Sequence, residues 1–125
     1  MSVSAIYAGS FDPITKGHLD IIERALNIFD VVHVSVIENI DKSALFTIDQ
    51  RIDLIKNSIQ SDRIVVEGFQ GLLVDYARKK NIFKLIRGLR AVSDFEYEFQ
   101  MSLTNRSQDS RIDTVFLMTD QSYSY

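Results

Sequence analysis

Two short stretches hold most of the side chains in this 125-residue chain that can do chemistry. The first, Tyr7 to His18, reads YAGSFDPITKGH and carries a hydroxyl at Ser10 and an imidazole at His18. The second, Arg87-Gly88-Leu89-Arg90, sets two guanidiniums three residues apart around a glycine. Arginines so spaced can clamp phosphate groups through charge-assisted, forked hydrogen bonds. Their rival reading is a pair of surface arginines bridged to Asp94, Glu96 or Glu98, which follow closely in the chain. With no Cys there is no thiol nucleophile, thiolate metal site or disulfide framework.

The elements around His18 decide what it can do. An apolar run from Val3 to Ala8 reads as a buried strand, and Leu19, Ile22, Ala25, Leu26 and Phe29 follow at helical spacing. A strand, a turn and a helix in that order present the helix's unpaired N–H groups and the positive end of its dipole above the sheet, where a phosphate fits. Gly9 allows a tight turn and Pro13 stiffens it. Thr15 is the expected N-cap, placing Gly17 and His18 at the second and third helical positions. Beside those donors a charged imidazole is disfavoured, so a neutral ring giving one N–H to a phosphate oxygen is expected. The order Thr15-Lys16-Gly17-His18 is not a Walker A loop, and the stretch lacks the GxGxxG of dinucleotide sites.

The rest of the chain alternates. Val31 to Ile37 reads as a second buried strand, with His33 inside it and assigned no role. A polar segment then carries Lys42, by itself an ordinary solvated loop lysine. Thr47 and Gln50 have capping-box spacing ahead of Ile48, Ile52, Ile55 and Ile59, a second helix. Arg63 to Phe69 is a third strand, Gly71 to Lys80 a third helix and Ile82 to Ile86 a fourth strand. Ser93 and Glu96 again spell a capping box, with Phe95, Phe99 and Leu103 expected to face inward on a fourth helix. Arg111 to Met118 supplies a fifth strand.

Such alternation predicts an α/β fold, a doubly wound parallel five-stranded sheet with helices on both faces, in one domain over residues 1–125. If strands one and four are neighbours, in an order such as 3-2-1-4-5, the two motif loops flank the point where the strand order reverses, the usual ligand crevice. Fourteen Lys and Arg against seventeen Asp and Glu, a net charge of −3, argue against a general nucleic-acid surface. No basic flank opens the chain and no apolar run approaches membrane-spanning length. A soluble cytoplasmic protein, with no nucleic-acid or membrane partner, is expected.

Thr15 to His18 resembles the T/HxGH signature of the nucleotidyltransferase superfamily, which has a Rossmann-like fold. GSFDPITKGH together with RGLRAVSDFEYE is similar to the bacterial phosphopantetheine adenylyltransferases over nearly the whole chain. The resemblance implies transfer of an adenylyl group from ATP to 4'-phosphopantetheine, giving dephospho-coenzyme A and pyrophosphate, with magnesium on the phosphates. It also implies a homohexamer and feedback by coenzyme A. By the family pattern, Ser10 and His18 serve the phosphates of ATP and the acceptor, with Phe11 at ATP. Lys42 and Arg87 hold the acceptor phosphate, and Leu73 lines its pantetheine arm. Gly88, Leu89, Arg90, Glu98 and Tyr123 contact ATP, and His18, Lys42, Arg90 and Ser10 carry catalysis, with no metal ligand among the side chains. The family's usual Pro is Ala8 here. The chain stops just inside an aromatic-Ser-aromatic motif at Tyr123 to Tyr125 that leads into further helices in the family, so the domain is expected to be truncated there. Two alternatives stand beside this reading: a catalytically incomplete nucleotide-binding module, and a nucleotidyltransferase with another phosphorylated acceptor.

Overall fold

The computed structural model of the chain describes residues 2–39, 43–90 and 92–119. In chain order its elements are β1 (Ser4–Gly9), α1 (Lys16–Leu26), β2 (Val31–Ile37), α2 (Ile48–Ser58), β3 (Ile64–Phe69), α3 (Leu73–Lys80), β4 (Lys84–Leu89), α4 (Val92–Gln108) and β5 (Asp113–Met118). The five strands form one sheet in the order β3-β2-β1-β4-β5, every pair parallel. The chain winds outward from β1 through β2 to β3, then crosses back to β4, so the order reverses between β1 and β4. This is the expected doubly wound sheet.

Strand residues alternate between two cores, as a period of two requires. Ala5 and Tyr7 of β1, Val32, Val34 and Val36 of β2 and Ile86 of β4 pack under α1 and α2. Ile6, Ala8 and Leu85 point the other way, against Val74, Tyr76 and Ala77 of α3. Burial on both faces explains why the central strands read as unbroken apolar runs. Helices α1 and α2 both start at reciprocal capping boxes, Thr15 with His18 and Thr47 with Gln50, which satisfy orphan donors at each end. Helix α3 starts at Leu73 and not at Gly71, because Gly71 sits at φ +91°, outside helical geometry.

Two expectations about the second half change. The fourth strand begins two residues later than Ile82, whose N–H still bonds the Ala77 carbonyl at the exit of α3. It runs on to Leu89 because β5 pairs with it as far as Leu89 and Met118. Arg87, Gly88 and Leu89 are therefore strand residues, and only Arg90 lies beyond. Helix α4 begins at Val92, so Ser93 lies inside it and is not its cap. Phe95, Phe99 and Leu103 are not inward: each is more than 40% exposed, and Glu98 is the side chain buried on this helix. The helix is rotated from its expected facing because Glu98 is drawn to Arg87, which brings Ser102 and Asn105, one and two turns on, to the pocket beneath. Phe95 instead meets Phe99 and Phe116 edge to face at 5.8 and 5.7 Å.

Gly88 has a packing reason of its own. A Cβ there would stand 3.1 Å from Cγ1 of Ile21, a fully buried α1 residue, so Ile21 would have to give by a few tenths of an ångström to admit one. Gly88→Ala is expected to destabilise the fold by about 1–3 kcal/mol through overpacking, read as a lowered urea midpoint at unchanged slope. An unchanged midpoint would show that α1 has room to move.

Candidate active site

The two motifs meet where the strand order reverses. Gly9 ends β1, and the turn to α1 is made by Phe11 at φ 44°, with the Asp12–Pro13 peptide cis. The left-handed residue of this turn is thus Phe11 and not Gly9. Gly9 serves the turn differently, since a Cβ there would stand 3.2 Å from the Phe11 ring folded back beneath it. Phe11 is 2% exposed, and its ring packs edge-on to Tyr7 at 5.2 Å and to His18 at 5.0 Å. A ligand can therefore reach only its backbone.

His18 is the third residue of α1. Its backbone N–H donates to Thr15 Oγ1 at 3.2 Å, and its Nδ1 accepts the Thr15 backbone N–H at 3.0 Å. An Nδ1 that accepts carries no proton, so the neutral ring bears its hydrogen on Nε2, the nitrogen left for a ligand. Burial lowers the pKa of His18 from its usual value, and the positive charges of Arg90 and Arg87 lower it further. The second motif lies beside the first, with Arg87 Nη1 donating to the Ala8 carbonyl.

Arg87 projects from β4 and ties three elements together. Its Nε and Nη2 donate to the two carboxylate oxygens of Glu98 on α4, both at 2.8 Å, and its Nη1 donates to the Ala8 carbonyl of β1 at 3.0 Å. The fork to Glu98 raises the pKa of Arg87. Of the acids weighed as rivals for these arginines, Glu98 is the one that Arg87 bonds, while the Arg87 side chain stays 37% exposed. Tyr7 lies below; burial, chiefly, pushes its phenol up to about 12.

Behind Arg87 a cavity of about 120 Å³ opens between α3, α4 and the sheet, lined among others by Leu73, Leu85, Glu98, Met101 and Thr114. Leu73 and Arg87 both line this cavity. The Thr114 hydroxyl is buried without a hydrogen-bond partner among the described residues. Ser10 is exposed at the mouth of the β1–α1 turn, and Gly88 and Leu89 continue β4 toward exposed Arg90. Lys42 and Tyr123 lie outside the described residues.

Two residues that hold this loop were not singled out from the sequence. Asp12 accepts the N–H groups of Leu45 and Phe46 at 2.7 and 2.9 Å, fastening the turn to the segment before α2. Arg51, 5% exposed, donates to the carbonyls of Ser10 at 2.9 Å and Ile37 at 3.2 Å. The signal for Arg51 was a charge on the same helical stripe as Ile48 and Ile55, where an apolar residue is the norm.

Comparison with known proteins agrees with this geometry. A cytidylyltransferase-like family model matches residues 6–125. Phosphopantetheine adenylyltransferase of Clostridium novyi is 56% identical over 122 residues, spanning 97% of this chain and 76% of that protein. The enzyme of the same name from Geotalea daltonii is 57% identical over the same shares of the two chains. Among solved structures, a bifunctional NMN adenylyltransferase/ADP ribose pyrophosphatase from Francisella tularensis superposes with a TM-score of 0.71 at 19% identity, over 98% of this chain and 39% of that one. A lipopolysaccharide core biosynthesis protein from Thermoplasma volcanium does so at 0.66 and 15%, over 96% and 98%. The last two speak for the fold alone. The identity to the adenylyltransferases, over nearly the whole chain and through both motifs, makes this chain a member of the cytidylyltransferase-like family and, within it, of the phosphopantetheine adenylyltransferases.

Proposed function

We propose that this site joins the adenylyl group of ATP to the phosphate of 4'-phosphopantetheine, releasing pyrophosphate and giving dephospho-coenzyme A. The observation that carries the reading is the Thr15–His18 capping box, which holds a neutral imidazole with its proton on Nε2 at the start of α1, under the positive charges of Arg90 and Arg87. The acceptor's own phosphate oxygen attacks the α-phosphorus as the bond to pyrophosphate breaks, so no side chain is needed as nucleophile. The protein's part is to place the two phosphates in line and to spread the charge that develops. His18 gives its Nε2–H to the reacting phosphate, the α1 N-terminus faces the same charge, and Arg90 holds the triphosphate. Arg87 takes the acceptor phosphate, with the pantetheine arm in the cavity beside Leu73. Ser10 at the turn and Lys42 complete the phosphate contacts.

Magnesium in this reading arrives on ATP. Arg87 and Arg90 act on His18 as positive charges, and among the described residues no group of three or more His, Cys, Asp or Glu is placed to hold an ion. A magnesium ion carried by the ATP phosphates would neutralise charge on the leaving pyrophosphate. A homohexamer in the cytoplasm belongs to the same reading. Exposed Phe95, Tyr97, Phe99, Met101 and Leu103 on α4 support self-association, which sedimentation at micromolar concentration tests: a monomer there excludes it. Coenzyme A, sharing the pantetheine arm, is proposed to compete for the cavity; failure to displace phosphopantetheine in a binding titration rejects that.

Pyrophosphate release should require both ATP and 4'-phosphopantetheine and be lost in Arg90→Ala. Release indifferent to the acceptor rejects the reaction, and a chain that binds both substrates without releasing pyrophosphate is a binding module. His18→Ala should lower kcat by about 10²–10³, the usual cost of one transition-state donor, with ATP affinity nearly unchanged. An equal loss in both makes His18 a ground-state contact only. In the free chain, NMR of the His18 ring should show the Nε2–H tautomer and a titration midpoint below 6.5. The folded pKa is depressed, so His18 contributes stability that is complete above pH 6.5 and is lost as pH falls through the folded pKa. A midpoint above 6.5 would contradict the burial argument.

A further inference from the structure

The Ser10 carbonyl is held by a buried cation on another element, and that bond decides where the next backbone donor points. We propose that Arg51 is a positioning residue for ATP, fixing the Ser10–Phe11 peptide so that the Phe11 N–H faces the crevice as a donor to a phosphate oxygen. The inference rests on the adenylyl-transfer reading above.

Arg51 is 5% exposed, on a helix whose other inward residues are isoleucines. Its Nη1 donates to the Ser10 carbonyl at 2.9 Å and to the Ile37 carbonyl at 3.2 Å, and its Nε to the Thr47 carbonyl at 3.4 Å. The turn after β1, the end of β2 and the N-cap of α2 are thus gathered on one planar, pre-organised fork. A trans peptide is itself planar, with its C=O and N–H pointing in opposite directions, and the Ser10–Phe11 peptide is trans. Its oxygen is drawn toward α2 and the end of β2, so its N–H points to the other flank of β1, where β4 and Arg87 lie. Among the described residues that N–H meets no acceptor. Phe11 stands at φ 44°, a conformation that its surroundings have to impose. Its ring is buried, which leaves the backbone as the part of Phe11 that a ligand meets. A purely structural Arg51 would alter the stability of the fold and treat both substrates alike, whereas a group that aims this donor acts on ATP.

The test compares two variants of the whole chain with the wild type: Arg51→Met, which keeps an apolar stem and loses every donor, and Arg51→Lys, which keeps the charge without the fork. Calorimetric titration gives the Kd of ATP and of phosphopantetheine, each alone, and NMR follows the amide of isotope-labelled Phe11 as ATP is added. In the wild type that amide proton should move downfield, the signature of a new bond to an anionic oxygen. Arg51→Met is expected to weaken ATP at least tenfold, to change the phosphopantetheine Kd less than threefold and to remove most of the amide shift. Arg51→Lys should fall between it and the wild type. A folded Arg51→Met chain that binds ATP within twofold of the wild type overturns the proposal, as does an equal loss for both substrates or a wild-type Phe11 amide that ATP leaves unmoved. Should Arg51→Met fail to fold, Arg51→Lys and Arg51→Gln carry the same comparison. Failure of the reading beneath is seen separately, as wild-type pyrophosphate release that ignores phosphopantetheine while ATP binding still depends on Arg51.

Discussion

The reciprocal bond pair between Thr15 and His18 is the constraint on which this site depends. A capping box normally ends with Glu or Gln at its third helical position, and α2 shows that form with Gln50. In α1 the position is filled by histidine, so the contact that starts the helix also selects a tautomer. Stability and chemistry are thus written into the same two hydrogen bonds. Nδ1 satisfies the Thr15 N–H at the helix start, and because it accepts, the proton is on Nε2.

That arrangement needs a loop held from outside, because its own turn passes through a left-handed phenylalanine. Substituents at such a φ are tolerated where the surroundings determine the conformation. Here the Phe11 ring is sunk between Tyr7 and His18, Asp12 binds two backbone N–H groups of the segment before α2, and Arg51 grips the Ser10 carbonyl from inside α2. The second helix therefore has a functional load that its capping box and isoleucine stripe did not advertise.

The sheet, its order, the Thr15 N-cap and the Thr47–Gln50 capping box were legible because each rests on local pattern, whereas the box that His18 completes was not read and the Ser93–Glu96 box falls inside α4. What the pattern misplaced was the facing of α4. Phe95, Phe99 and Leu103 form a sound helical stripe in one dimension, but the buried bond from Glu98 to Arg87 joins residues eleven apart across two elements and overrides it. Propensity carries no record of such a pair. The same limit hid the reach of Arg87 to Ala8, 79 residues away, and of Arg51 to Ser10, 41 away. The glycines illustrate the other half of the lesson. Gly9, read as a turn-maker, also packs against the ring of Phe11, and Gly88 packs against Ile21.

The charge around His18 follows from these placements and bears on how the site can work. Burial, Arg90 and Arg87 all disfavour a proton on Nδ1, and the N-terminus of α1 acts in the same direction. A cationic imidazole would attract the negative phosphates strongly before any bond changes, adding affinity for bound ATP as much as for the transition state. A neutral Nε2–H attracts less at the start and gains most as negative charge gathers on the oxygen it faces. In the proposed reaction the arginines would supply permanent charge for holding substrates and His18 a fixed neutral donor for the moment of transfer. Glu at the same position would bring a negative charge and no donor, whereas the imidazole accepts at Nδ1 and still presents a neutral donor at Nε2.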